Sequence, residues 1–251
     1  MRLIINADDY ALTKGVSEGI IQGIKTGVIT DATAMANMEY FTESIEVAKR
    51  VGISKMGIHF TLTAGKPVSQ CEQMNTIVNE EGCFYKLNEI TPENIDCKQI
   101  EKELRAQLDM FLKTGMTLNH IDSHHHIYGF NDELFEIVAN LAKEYNVPMR
   151  CPFDKHRELL KRIGVKTTDK FIKDFYGEDI SEEMLINLLE NNKDFKGSIE
   201  IMVHPAIVDN EILQKSSYNK VREKELSILT SKRVLKYIKD NNIELISYSD
   251  L

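Results

Sequence analysis

Within its first 60 residues the chain alternates β-prone runs with helix-patterned ones, joined by connections of a few residues. This rhythm narrows the available folds more than any other feature. Arg2-Leu3-Ile4-Ile5-Asn6 is β-prone and stops at Ala7-Asp8-Asp9-Tyr10. Thr13 then reads as the N-cap of a helix with Val16, Ile20 and Ile24 on one face and Gly27 as its stop. Val28 to Ala34 has the β-branched content of a second strand. Thr42 to Val51 reads as a helix closed by Gly52, and Lys55 to Phe60 as a third strand.

The rhythm breaks between Thr63 and Asn88. That segment holds Gly65, Pro67, Gly82, two cysteines and little periodicity, and it reads as a long loop of the kind that forms lids and binding surfaces. Thr91-Pro92-Glu93 carries a helix start, Thr at the cap and Pro at the first position. Ile100, Leu104, Leu108 and Phe111 mark one face of that helix, which Gly115 ends. Met116-Thr117-Leu118 begins a fourth strand, and Asn131 caps a helix striped by Leu134, Ile137, Val138, Leu141 and Tyr145. Val147 to Arg150 is briefly extended, and Cys151 to Glu178 resists placement. Ser181 caps another helix, Ser198 to Val203 is a strand ending in His204-Pro205, and Ala206 to Val221 is irregular. One last helix is predicted over about Glu223 to Asn241, followed by a strand from Ile243 to Ile246.

Six or seven strands alternating with helices imply a parallel α/β sheet. A closed (β/α) barrel suits a single domain of about 250 residues, residues 1–251 here, better than an open doubly wound sheet. No glycine-rich phosphate loop follows the first strand, and Asp8 and Asp9 stand where a phosphate would want donors. Across 251 residues the formal charge is −8, which argues against nucleic acid as a partner. No apolar run approaches the roughly 20 residues that span a bilayer. The N-terminal run is too short for a signal peptide. The four cysteines, Cys71, Cys83, Cys97 and Cys151, have neither Cys-x-x-Cys spacing nor disulfide density, so a cytoplasmic protein with reduced thiols is expected.

The chemistry gathers around His120-Ile121-Asp122-Ser123-His124-His125-His126. On an extended chain His120, Asp122, His124 and His126 would share one side, with His125 facing away. Imidazole is the commonest neutral metal ligand, and a nearby carboxylate fixes its tautomer. Asp8 and Asp9 end the first strand, His59 the third, and His204 a late one, while Arg150 ends a short extended segment. Taken singly, an Asp pair before a helix is usually a solvated or capping feature, and a lone histidine such as His59 a hydrogen-bonded core residue. Taken together they matter more, because the carboxyl ends of barrel strands open on one face. One carboxylate and two imidazoles leave metal positions open for water and substrate. Of two adjacent aspartates one can bind metal while the other serves as base. A cation such as Arg150 would hold Asp8 ionised, and His204 could give a proton to a leaving group. Asp122 and His120 read as supports.

Four segments then resemble the signatures of the YdjC-like carbohydrate deacetylases: Asn6–Tyr10, Gly57–Thr63, His120–His126 and Glu200–Ala206. Within that family the similarity is nearest the chitooligosaccharide (diacetylchitobiose) deacetylases. Thr63–Pro67, Phe175–Ser181 and Ser247–Leu251 agree as well, so the resemblance runs essentially end to end. It implies a distorted (β/α) barrel related to polysaccharide deacetylases, removing an N-acetyl group from a small acetylated oligosaccharide and releasing acetate. It assigns Asp9, His59 and His124 as metal ligands, Asp8 as general base, Arg150 as the group that orients Asp8, and His204 as general acid. Magnesium is the cofactor the resemblance implies, whereas the ligand types would favour zinc. The chain departs from the family in having Tyr10-Ala11 where Phe-Gly is usual, and in the loop after Pro67. Two other classes fit the same parts: a metal-dependent sugar isomerase or epimerase, and a non-catalytic sugar-binding protein. A homodimer is compatible with the sequence, and nothing in it requires one.

Overall fold

A strand buried on both faces is mostly apolar on both, and the first strand, β1 (Arg2–Tyr10), is buried from Leu3 to Tyr10 with Asn6, Asp8 and Asp9 as its polar exceptions. The computed structural model describes residues 1–69, 74, 76–90 and 95–251, and divides into two compact units, residues 1–33 with 168–251, and residues 34–167. In the first unit β1 pairs in parallel with β6 (Ser198–Val203), in register from Arg2 opposite Ser198 to Ala7 opposite Val203. β2 (Asp31–Ala34) neighbours β1, β7 (Glu244–Leu245) joins its start, and β5 (Lys170–Ile172) lies beyond β6. The segment that resisted placement thus contributes β5 to this unit.

Helix α1 (Lys14–Thr26) begins as the sequence predicts, with the Thr13 side chain accepting the Val16 N–H. α6 (Glu182–Glu190) is capped by Ser181 in the same manner. The irregular stretch after β6 includes one short helical piece, α7 (Ile212–Lys215). The single last helix expected from about 223 to 241 is two: α8 (Val221–Leu229) and α9 (Lys232–Asp240). Ser231 separates them because its side chain accepts the N–H groups of Arg233 and Val234, an N-cap that sequence periodicity alone passes over.

In the second unit β3 (Lys55–Phe60) and β4 (Thr117–Ser123) run parallel, with a register shift between Met56 and Ile58. Met149 extends the ladder by bridging Ile121 in parallel. The helices are α2 (Phe41–Arg50), α3 (Cys97–Lys113), α4 (Asp132–Glu144) and α5 (Arg157–Ile163). The helix start expected at Thr91-Pro92-Glu93 lies outside the described residues, and α3 is capped by Asp96. Parts of the long loop are more ordered than its composition implies. Val78 and Phe84 form an antiparallel bridge across a turn in which the Asn79 side chain accepts the Glu81 and Cys83 N–H groups.

Each unit therefore builds the predicted alternation of helices and parallel strands, an α/β fold. Among the described residues no helix is long and apolar enough to cross a membrane.

The segment after β6 is fixed by backbone proximity. A Cβ placed on Gly19 of α1 would lie 2.6 Å from the Ala206 Cα and 2.6 Å from the Ile207 nitrogen. Gly19→Ala gains about 1 kcal/mol in helix propensity but forces main chain apart. We expect a net destabilisation of about 2 kcal/mol, read as a lower urea midpoint with an unchanged slope.

Candidate active site

The strand ends carry the polar residues, and each unit holds its own set. In the second unit β3 delivers His59 and β4 delivers Asp122 one register step before both strands stop. The His59 Nδ1 lies 2.7 Å from Asp122 Oδ1, and Arg150 Nη1 lies 3.0 Å from Asp122 Oδ2. All three side chains are buried. Burial alone would push the Asp122 carboxyl up, but Arg150 and His59 hold it below the usual carboxylate range. An ionised Asp122 accepts the Nδ1 proton, so the lone pair of His59 sits on Nε2, the tautomer a metal ligand needs. His120 is pushed down to about 3, chiefly by burial, against the pull of Asp122 and with the Arg150 charge lowering it further, and is neutral.

The expected side-sharing of the histidines ends at Ser123. From His124 to Phe130 the chain coils as 3-10 turns, with His125 at φ 55° and His126 at φ 54°. Alternation therefore does not extend to His126, and the His124 and His125 rings lie 3.8 Å apart instead of on opposite faces. His124 sets its ring edge-on to His59 at 5.6 Å, and His125 Nδ1 is 2.9 Å from Thr63 Oγ1. Behind β3, the buried Gln107 on α3 accepts the Thr61 N–H at 3.0 Å and donates to the Thr61 carbonyl at 2.7 Å. This pair of bonds fixes the chain two residues beyond His59.

In the first unit Asp8 and Asp9 are part of β1, not just beyond it, and both are buried. Asp9 takes φ 71° and Ala11 φ 75°, left-handed conformations that an aspartate tolerates and an alanine resists. Asp9 Oδ2 accepts from Arg222 Nη2 at 2.7 Å. Asp8 Oδ2 lies 4.0 Å from Nε2 of His204, which follows β6. The His204 N–H donates to Glu225 Oε2 at 2.5 Å, and the Tyr218 hydroxyl donates to Glu225 Oε1 at 2.5 Å. Burial pushes Glu225 up to about 7, against the hydrogen bonds from Tyr218 and His204 and the charge of Arg222.

Of the six residues singled out in the sequence, Asp8, Asp9 and His204 thus gather in the first unit, and His59, His124 and Arg150 in the second. Sequence reasoning missed Arg222, Glu225 and Tyr218. A charged residue at the start of a helix ordinarily signals a solvated face, and only the burial of Arg222 and Glu225 distinguishes them. Among the described residues, the carboxylates and imidazoles able to hold a divalent cation are Asp8 and Asp9 in the first unit and His59, Asp122 and His124 in the second.

The profile of the family described as YdjC-like protein matches residues 2–240 of this chain. The chain belongs to that family. It is 42% identical to a carbohydrate deacetylase of Clostridium beijerinckii over the whole of both chains. It is 40% identical to one of Thermoanaerobacter pseudethanolicus, over 99% of this chain and 98% of that one. A solved structure of an Enterococcus faecalis protein, described provisionally as a cellobiose-phosphate cleavage protein, superposes with a TM-score of 0.93 at 34% identity. That match covers 99% of this chain and 98% of the other. Ala11, read in the sequence as a departure from the resemblance, takes φ 75°, a backbone conformation that favours glycine.

Glu225 provides a pH test. Its folded value, about 7, is above the ordinary 4.5, so the native state binds this proton more tightly than the unfolded chain. The resulting stabilisation is complete below pH 4.5 and is lost as pH rises through 7. Relative to Glu225→Gln, the wild type should lose up to about 3 kcal/mol between pH 4.5 and 7.5. Urea unfolding of both proteins at the two pH values measures the difference.

Proposed function

We propose that this chain is a metal-dependent N-deacetylase of small acetylated sugars, most directly chitooligosaccharides such as diacetylchitobiose, acting as one catalytic domain in the cytoplasm. Membership of a family whose relatives are named carbohydrate deacetylases supports the hydrolase class. The observation that carries the metal-dependent reading is the buried relay from Arg150 through Asp122 to His59, which leaves His59 Nε2 as a lone-pair donor. A relay of this kind is a general device for orienting a metal-binding imidazole.

In this reading Asp9, His59 and His124 hold the cation, a set of one carboxylate and two imidazoles that fits a divalent metal. Magnesium follows from the resemblance, and zinc from the softness of the ligands. When bound, the cation polarises the acetyl carbonyl and makes water a better nucleophile. Arg222 pairs with Asp9 Oδ2 and fixes its orientation. Asp8 takes the proton of the attacking water at a carboxylate oxygen. His204 delivers a proton from Nε2 to the departing amine as the C–N bond breaks, so that acetate and a free amino sugar leave. The resemblance gives Arg150 the further role of orienting Asp8, beside its ion pair with Asp122.

Asp8→Asn should abolish acetate release from diacetylchitobiose while bound metal stays near wild type, whereas His124→Ala should lose both. Metal content by elemental analysis, set beside a coupled acetate assay, separates base from ligand. Equal metal loss in the two variants would overturn the division of roles. Chelation should remove activity from the wild type, and the better restorer, Mg²⁺ or Zn²⁺, identifies the working ion.

A further inference from the structure

The Phe175–Ser181 segment has no part in the reaction described above, yet it places an aromatic ring beside the candidate acid. Tyr176 follows β5, and half of its surface, 51%, is exposed. Its ring lies on that of Tyr218 with centroids 4.1 Å apart and planes 16° from parallel. Both rings meet His204 edge-on, Tyr176 at 5.6 Å and Tyr218 at 5.7 Å.

The lower ring is anchored. The Tyr218 hydroxyl donates to buried Glu225, the same carboxylate that receives the His204 N–H. The Arg222 guanidinium carbon stands 5.6 Å from the Tyr218 centroid. Tyr176 thus lies on an anchored ring and beside the candidate acid, with half of its own surface open to a ligand.

We propose that Tyr176, backed by Tyr218, is the platform on which the pyranose ring of the acetylated sugar rests while His204 faces the amide nitrogen. This rests on the carbohydrate reading of the site. A pyranose presents a face of C–H bonds with slight positive charge, and an aromatic face is slightly negative, so the two attract where water is displaced. The contact is the same in the ground state and the transition state. Its loss therefore weakens binding without slowing the chemical step.

The chain contains no tryptophan, so Tyr176→Trp creates a sole reporter at the platform. Its emission should shift and saturate as diacetylchitobiose is added. In steady-state assays Tyr176→Ala should raise KM for diacetylchitobiose about tenfold with kcat within about twofold of wild type, and Tyr176→Phe should stay near wild type in both. An emission shift without acetate release would refute the deacetylase reading and leave the platform standing. Unchanged emission in a variant that still releases acetate overturns the platform. So does a Tyr176→Ala enzyme that loses kcat at constant KM, which would make the ring a prop for His204.

Discussion

A fully buried carboxylate keeps its charge only when partners replace the water it has lost, and Asp122 meets His59 on one oxygen and Arg150 on the other. Removing Arg150 would leave an uncompensated charge in the interior, at a cost of several kcal/mol. The arrangement of the second unit follows from that constraint. β3 and β4 must run in register so that His59 stands opposite Asp122. Arg150 must arrive on the adjoining extended segment, where its N–H bonds the Ile121 carbonyl and its own carbonyl accepts the Tyr128 hydroxyl. The tautomer of His59 is thus decided by strand register.

The first unit meets the same problem with different parts. Asp9 is held by Arg222, and the carboxylate that positions the His204 backbone comes from the same helix, three residues later. Residues at that spacing share a helix face, so α8 alone brings a guanidinium to one strand end and a carboxylate to another. The Ser231 cap limits α8 to Val221–Leu229, and α9 begins anew after it.

What the sequence made legible was whatever periodicity and capping express locally. The caps at Thr13, Asn131 and Ser181, the strand from Ser198 and the Asp8, Asp9 and His59 strand ends all stand where chemistry predicts. The misses have physical causes. β5 is three residues long and α5 seven, too short to show a period. The His124–His126 geometry depends on left-handed backbone that a run of histidines does not advertise. Arg222 and Glu225 look like surface charges until tertiary packing buries them, and no local pattern distinguishes a charge that meets a partner two hundred residues away.

The left-handed backbone at Ala11 has a bearing on how such sequences drift. Its methyl group is fully enclosed, so alanine gains about 1 kcal/mol from burial and restricts the unfolded chain, while its positive φ costs a similar amount. Glycine would reverse every one of these contributions. Exchange between the two residues is close to isoenergetic, and a lineage can wander across it, two positions from a proposed metal ligand, without the fold registering the change.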